Sequence, residues 1–274
     1  MLSLFCFLPL FLQPVVELGS TAFWVGLFGA IAFAWFTVRR KSLSIDGAIA
    51  AAWVGLWVMF FAGPLWLLPL FFFFISSTLL GRLNKRTQVQ SDVKHGKARD
   101  YKQVLCNGGI YALLASFAGP TGGWPLWLMA VSIAISTADT WSSEYGIYRK
   151  GATYDILRLK PIPAGVSGGV SVAGTMAGLL GAASTALVVG ILVGEGLNWY
   201  GFSVITLGGF GGMLLDSVLG AGVQARYRDE QGAISDTGDI GARLYSGWRF
   251  ISNDGVNLWS NALITAITYW IVCR

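Results

Sequence analysis

Apolar residues in this chain come in long unbroken runs, and the polar positions are gathered into the short stretches between them. Windows of about 20 apolar residues, the length that crosses a bilayer as a helix, predict eight spans. They lie near 20–37, 44–62, 64–80, 104–119, 124–144, 168–192, 201–223 and 255–272. Residues 2–16 are also apolar, but Gln13-Pro14 interrupts them, so that segment reads as interfacial or as a weaker ninth span. Barrel strands would instead alternate over roughly 10 residues. The expected fold is all-α: a polytopic membrane helix bundle forming one integral membrane domain over residues 1–274. Residues 1–19 form its extra N-terminal apolar segment.

Composition agrees with the pattern. Hydrophobic residues make up 54% of the 274 positions and charged residues only 12%, against about 25% charged in a soluble domain. Charge then orients the bundle. The loops 38–43, 81–103, 145–167 and 224–254 hold three, seven, four and four basic residues, which leaves only Arg274 of the 19 Lys and Arg. The intervening loops near 62–64, 119–124 and 193–200 hold none. By the positive-inside rule the four basic loops face the cytoplasm, and both ends of the eight-helix core lie outside. This bias accounts for the net charge of +5, so phosphate binding has to rest on particular residues. No cleavable signal peptide is expected, because MLSLFCFLPLFLQP has neither a basic start nor a small-residue cleavage site. Cys6, Cys106 and Cys273 are scattered through apolar segments and His95 is the single histidine. A disulfide framework, a zinc pattern and histidine-based catalysis are therefore not indicated.

Carboxylates at membrane depth are costly and mark functional sites by default. Four qualify: Asp46, Asp139, Glu144 and Asp216. Under the predicted topology all four fall on the cytoplasmic side, as do Asn253, Asn257 and Asn261, spaced four apart at the start of the last span. In ISTADTWSSEYG (135–146) a regular helix would set Asp139 and Glu144 roughly 140° apart. The two converge only if the helix loosens between or just after them, and Gly146 is a natural stop. The competing reading is plain ion pairing with Arg149, Lys150 or Arg158.

Glycine, 36 residues in all, is concentrated in two stripes. Positions 165, 169, 173, 177 and 181 are Gly, Gly, Ala, Ala and Gly, and Gly208, Gly212, Asp216 and Gly220 also recur every fourth residue. Close helix packing explains most of them. Ser167, Gly168 and Gly169 carry a second reading: they stand where a span begins, and free N–H groups at a helix N-terminus bind anions. Neither a Walker A sequence nor GxGxxG is present. The basic loop 81–103 is suited to lipid headgroups and leads into QVLCNGG, where Asn107 begins a span.

The segments ADTWSSEYG (138–146), GVSGGVSVAGT (165–175), the GG…LLDSVLGAGVQ block (208–224), QVLCNGG (103–109) and NDGVNLWSN (253–261) together resemble the domain-of-unknown-function-92 membrane family. That family includes plant and cyanobacterial phytyl-phosphate kinases. The resemblance runs from about residue 20 to the C-terminus, and more remotely the arrangement looks like dolichol kinase and CTP-dependent lipid enzymes. It implies phosphoryl transfer from a nucleoside triphosphate, often CTP, to a polyprenyl monophosphate such as phytyl phosphate, serving tocopherol or prenyl-lipid synthesis. It implies Mg²⁺ held by Asp139, Glu144 and Asp216 as catalytic and metal residues, with Gly168, Gly169 and Asn257 near the phosphates. Asn107, Ser143, Ser167, Arg158, Lys160, Ser217 and Asn253 complete the candidate binding set. Asp46 departs from the small residue expected at its position, and its role stays open. The implied partners are the isoprenoid monophosphate, the nucleotide and membrane lipids, in a plasma or thylakoid-type membrane; no nucleic acid is expected, and a homo-oligomer is allowed. The chemistry suits the inventory, since a phosphate acceptor is already anionic and the difficulty is bringing two polyanions together. A cytidylyltransferase that releases pyrophosphate needs the same groups, and an ion-coupled transporter also uses broken helices and membrane carboxylates.

Overall fold

Small polar residues convert the apolar runs into helices by capping them. Ser20, Ser44, Asp100 and Asn198 each accept a backbone N–H from the first turn that follows, and Ser171 and Ser252 do the same for Gly174 and Gly255. Such caps satisfy donors that a helix start would leave unpaired. In the computed structural model, which describes residues 13–86, 98–119, 123–193, 198–238 and 241–272, eight helices result. They are α1 (Thr21–Arg39), α2 (Ile45–Ala62), α3 (Leu67–Arg86), α4 (Tyr101–Ala115), α5 (Trp124–Arg149), α6 (Val172–Val193), α7 (Trp199–Gly222) and α8 (Asn253–Val272). A 3-10 turn, Pro64–Trp66, leads into α3. The eight predicted spans are all present as helices. Five of them, α1, α2, the Pro64–Leu83 stretch, α6 and α7, are long and apolar enough to cross a membrane. Helix α4, at 15 residues, extends only about 22 Å at 1.5 Å per residue.

Helix α5 is the axis of the bundle. Leu128 through Ala138 are buried on every side, and α3, α4, α6, α7 and α8 all pack against it. Serines and an asparagine bolt the neighbours in place: Asn261 of α8 donates to the Ser132 carbonyl (3.0 Å) and to Ser136 Oγ (3.2 Å), and Ser136 donates to the Asn107 carbonyl of α4 (2.8 Å). Asn261 is thus structural, whereas Asn253 and Asn257 look into the site described below.

Glycine lets α6 and α7 lie against α5 almost backbone to backbone. A Cβ on Gly212 would come 2.5 Å from Ile135 Cγ1, and one on Gly208 2.9 Å from Val131 Cγ1. The α7 stripe therefore does what its spacing predicts. The α6 stripe is shifted. Its packing face is Gly174, Gly178 and Gly181, set against Ser142, Ala138 and Thr137 of α5, because α6 begins only at Val172 and leaves Gly165 and Gly169 outside the helix.

Two predicted loops carry structure of their own. Strand β1 (Tyr154–Asp155) pairs antiparallel with β2 (Gly169–Val170). Within 224–254, β3 (Arg226–Arg228) pairs with both β4 (Ile234–Ser235) and β5 (Arg243–Ser246) in the order β4-β3-β5. Both small sheets sit at the end of the bundle that carries the basic loops, and they cap it. In the basic loop 81–103, α3 continues to Arg86, and residues 87–97 lie outside the described residues. So does most of the N-terminal apolar segment, residues 2–12. Val15 and Val16, just beyond it, donate to the Phe60 carbonyl.

The seam between α5 and α7 gives a direct test. Gly212→Leu forces a side chain into Ile135 and is expected to cost about 1–3 kcal/mol or more, the usual penalty for overpacking. Gly211→Ala, whose Cβ would meet nothing within 4 Å, should not lower the thermal unfolding midpoint of the purified protein in detergent, since alanine favours a helix interior over glycine.

Candidate functional site

At the basic end of the bundle, a polar cavity of about 310 Å³ opens between α5, α7 and α8 and the two capping sheets. Three helices start at its wall: α4 contributes Gln103 and Asn107, α6 contributes Ser171 and Gly174, and α8 contributes Asn253, Asp254 and Asn257. Their N-terminal dipole ends favour negative charge nearby. The acids come from helices that end here. Asp139 of α5 and Asp216 of α7 both line the cavity, and Asp139 lies close enough for its charge to act on Asp216. Asp216 is held from α8. Ser260 Oγ donates to its Oδ1 at 2.9 Å. Asn257, its amide nitrogen turned toward α7, donates to the same oxygen at 3.1 Å and to the Asn253 carbonyl at 3.0 Å.

Glu144 lines the same cavity from another side. Helix α5 runs unbroken to Arg149 and ends at Lys150 in a left-handed conformation, so Gly146 does not stop it. Gly146 is spent instead on the α5–α6 contact, facing Ser171 and Gly174. The regular 100° step therefore holds, and Glu144 turns to α3, where a Cβ on Gly81 would sit 3.4 Å from its Oε1. Its charge also acts on Arg99. Burial lowers the pKa of that guanidinium and the charge of Glu144 works against the shift; an arginine keeps its charge in proteins.

The three carboxylates are accordingly not one cluster, and among the described residues no three His, Cys, Asp or Glu side chains gather as a ready cation site. The Asp139–Asp216 pair still fits Mg²⁺ in its usual mode, in which one or two carboxylates share the ion with water and substrate phosphate.

The segment Ser167–Gly169 differs from its expected form. It is not a helix start: Ser171 caps α6, and Gly168 is a turn residue with φ +79° on which a Cβ would stand 2.5 Å from Ala221 of α7. The Ser167 N–H is already given to the Asp236 carboxylate (3.1 and 3.2 Å), and Ser167 Oγ bonds Asp236 and receives Gln224 Nε2 (2.6 Å). Gln224 is buried, and its Oε1 has no partner among the described residues, which leaves one acceptor in the wall for a bound group or water. Ser143 and Ser217 also line the cavity; Ser143 Oγ bonds the Thr140 carbonyl and the Asn107 amide bonds the Gln103 carbonyl.

Arg158 and Lys160 do not line the cavity. Arg158 Nη1 pairs with Asp155 (3.1 Å) and with the Ala221 carbonyl (3.0 Å), and Lys160 is exposed. Arg158 thus neutralises Asp155, and not the α5 acids. Asp46 is structural as well: it bonds Ser44 and accepts the Tyr101 N–H that opens α4. The cavity also contains Arg99, Asp236, Arg249 and Asp254, none of them singled out by the sequence. Each sits in a loop or at a helix edge, where a charge ordinarily reads as solvated.

The profile of the family described as "Integral membrane protein DUF92" matches residues 28–265. The chain belongs to this family. Similar to this DUF92 protein are Protein PGR of Arabidopsis thaliana, 30% identical over 257 residues (84% of this chain, 89% of the relative), and two proteins known as uncharacterized membrane proteins. MJ0933 of Methanocaldococcus jannaschii is 32% identical over 188 residues (67% and 75%), and sll0875 of Synechocystis sp. is 34% identical over 201 residues (69% and 76%). No solved structure matches.

What holds the mouth of this DUF92 site is a buried ion pair. Arg226, fully buried, donates to Asp155 (2.7 Å), Ser246 Oγ (2.9 Å), and the Ala221 (2.7 Å) and Ser167 (3.3 Å) carbonyls. Burial alone would raise the pKa of Asp155. The hydrogen bonds and charge of Arg226, with the Leu157 and Arg158 N–H groups, outweigh it and hold the carboxyl below its usual range. Stability from the pair is therefore full above about pH 4, the unfolded-state value, and falls away as pH drops through the lower folded-state value. Asp155→Ala, which leaves Arg226 buried without a counter-charge, is expected to cost about 3–5 kcal/mol. Chemical denaturation at pH 7 and pH 3 checks this, with the difference between wild type and variant shrinking at the lower pH.

Proposed function

We propose that this protein is a membrane-embedded kinase that transfers a phosphoryl group from a nucleoside triphosphate, CTP by family resemblance, to an isoprenoid monophosphate such as phytyl phosphate. The observation that carries the reading is the shared cavity, where the Asp139–Asp216 pair faces arginines and three helix N-termini at one end of the bundle. Such a site can hold two polyanions together, which is most of what phosphoryl transfer demands.

A monophosphate acceptor, with a second pKa near 6, needs no general base. Its anionic oxygen attacks the γ-phosphorus, the bond from that phosphorus to the β-bridging oxygen breaks, and the nucleoside diphosphate leaves with the electron pair. Asp139 and Asp216 would hold Mg²⁺, which neutralises charge on the β- and γ-phosphates. Ser260 and Asn257 fix the Asp216 carboxylate in place. Arg99 and Arg249 offset the acceptor's charge, and the positive dipole ends of α4, α6 and α8, which start at the cavity wall, favour the phosphates there. By the positive-inside rule the cavity opens to the cytoplasm, where the nucleotide is.

Purified protein in detergent, supplied with phytyl or farnesyl phosphate, Mg²⁺ and each nucleoside triphosphate, should yield the lipid diphosphate and a nucleoside diphosphate, with EDTA stopping the reaction. Asp139→Asn and Asp216→Asn should each lower kcat by about 100-fold or more while the protein keeps its thermal unfolding midpoint. Recovery of a CDP-lipid and pyrophosphate would make it a cytidylyltransferase, and full activity in both variants would remove the acids from the mechanism.

A further inference from the structure

A second cavity, about 570 Å³ and almost entirely apolar, lies between α1, α2, α3 and α4. It is not a separate feature of the bundle, since Phe73, Arg99, Gln103 and Asn107 line both it and the polar cavity. Arg99 is the one charged residue among those lining the apolar chamber. We propose that this chamber receives the hydrocarbon tail of a single-chain lipid phosphate, whose phosphate reaches the polar cavity at Arg99. The headgroup assignment rests on the lipid-phosphate reading above; the path of the tail rests on the chamber itself.

Three observations point to this occupant. The volume falls within the range of about 300–1,000 Å³ that encloses most small-molecule ligands. Apart from Thr21 at the start of α1, the chamber walls are aliphatic, aromatic and glycine until the end where the two cavities meet, and there Arg99, Gln103 and Asn107 supply the polar groups, so the space suits an amphiphile entered tail first. The cation at that junction is built in. The Arg99 backbone N–H bonds the Ser42 carbonyl (3.1 Å), its carbonyl accepts from the Ser44 N–H (3.0 Å), and a Cβ on Gly47 would sit 2.2 Å from that carbonyl oxygen. Arg99 also stacks over Phe73, 6.0 Å from the ring centroid, which sets the guanidinium in the partition between the cavities. An anionic group drawn to Arg99 would stand at the edge of the space lined by Asp139 and Asp216, with its tail already out of water.

The chamber also offers a way to shorten it without touching the polar groups. Gly55 of α2 lines it, and a Cβ there would meet only Leu67, at 3.9 Å; Ala52, one turn earlier, lines it too. Gly55→Leu and Ala52→Leu therefore place bulk in the tail's path. The test is photo-crosslinking of the purified full-length protein with a long-chain alkyl phosphate carrying a mid-tail diazirine, with adducts mapped by mass spectrometry, beside the alkanol of the same length. The phosphate should label α1–α4 residues of the chamber. Labelling should fall in Gly55→Leu and Ala52→Leu, and in Arg99→Gln it should fall for the phosphate but not for the alkanol. Adducts spread over the outer faces of α6 and α7, or labelling unaffected by Gly55→Leu and Ala52→Leu, would overturn the proposal. Turnover separates it from the kinase reading. In active protein Gly55→Leu should raise KM for farnesyl phosphate about tenfold, as expected when one or two CH₂ groups fail to bury, and leave KM for isopentenyl phosphate unchanged. If wild-type protein turns over no lipid phosphate yet the chamber labels as expected, the kinase reading fails and the tail site stands.

Discussion

The buried pair of Asp155 and Arg226 is the constraint on which the basic end of this bundle depends. A guanidinium with no solvent exposure is tolerated only when its donors are matched, and here the acceptors are spread over four different pieces of chain: β1, β5, the end of α7 and the turn before β2. Removing water from both charges is expensive, and a hydrophobic replacement of equal volume is often as stable. What the pair adds is position. It ties the Ser167 carbonyl to the C-terminus of α7, and so sets how the turn that carries Gly168 lies across Gly220 and Ala221. Gly247 completes the clamp from the other side. Its φ of +78° and the approach of the Gln224 carbonyl, 1.8 Å from where a Cβ would stand, let the capping sheet return the chain to the start of α8.

With the mouth held this way, the interior is set by close packing. Asp139 and Asp216 belong to different helices, and their meeting requires that α5 and α7 run with little side-chain bulk between them. Gly208, Gly209 and Gly212 supply that approach. The carboxylates sit at its basic end, so the charge is kept beside polar partners and away from the middle of the bilayer, where it would cost most. Ser260 and Asn257, one turn apart on α8, then orient one acid of the pair from a third helix.

Much of this was legible in the residues. Long apolar runs became helices because a helix satisfies its backbone hydrogen bonds within one segment, whereas a barrel would need strands that alternate. The basic loops gathered Asp139, Asp216, Asn107, Asn253 and Asn257 at one end because charge and span count together fix direction. What escaped notice was tertiary. Gly146 reads as a helix stop, yet the same missing side chain serves a helix crossing, and only the neighbour α6 decides between the two. Arg158 looks like a partner for the α5 acids until β1 brings Asp155 beside it. Arg99, Asp236 and Arg249 lie in stretches whose composition is that of solvated loops, and strands of two to four residues are too short for alternation to reveal them. Ser167 was visible as an N–H donor, but its acceptor, Asp236, is far along the chain and was supplied by the fold.

The two cavities divide the molecule by chemistry. Helices α5, α7 and α8 with the capping sheets surround the polar space, and α1 to α4 surround the apolar one, while α4 borders both through Gln103 and Asn107. A substrate that is charged at one end and greasy along the rest sets this problem for any enzyme, because the environment that stabilises one part destabilises the other. On the proposed reading the solution is a partition and not a compromise: Arg99 and Phe73 form the boundary, so the headgroup meets arginines and helix N-termini while the tail stays among carbon atoms. Chain-length selectivity can then be altered from α1 and α2 without disturbing the acids on α5 and α7, since no residue of the first pair of helices lines the polar cavity.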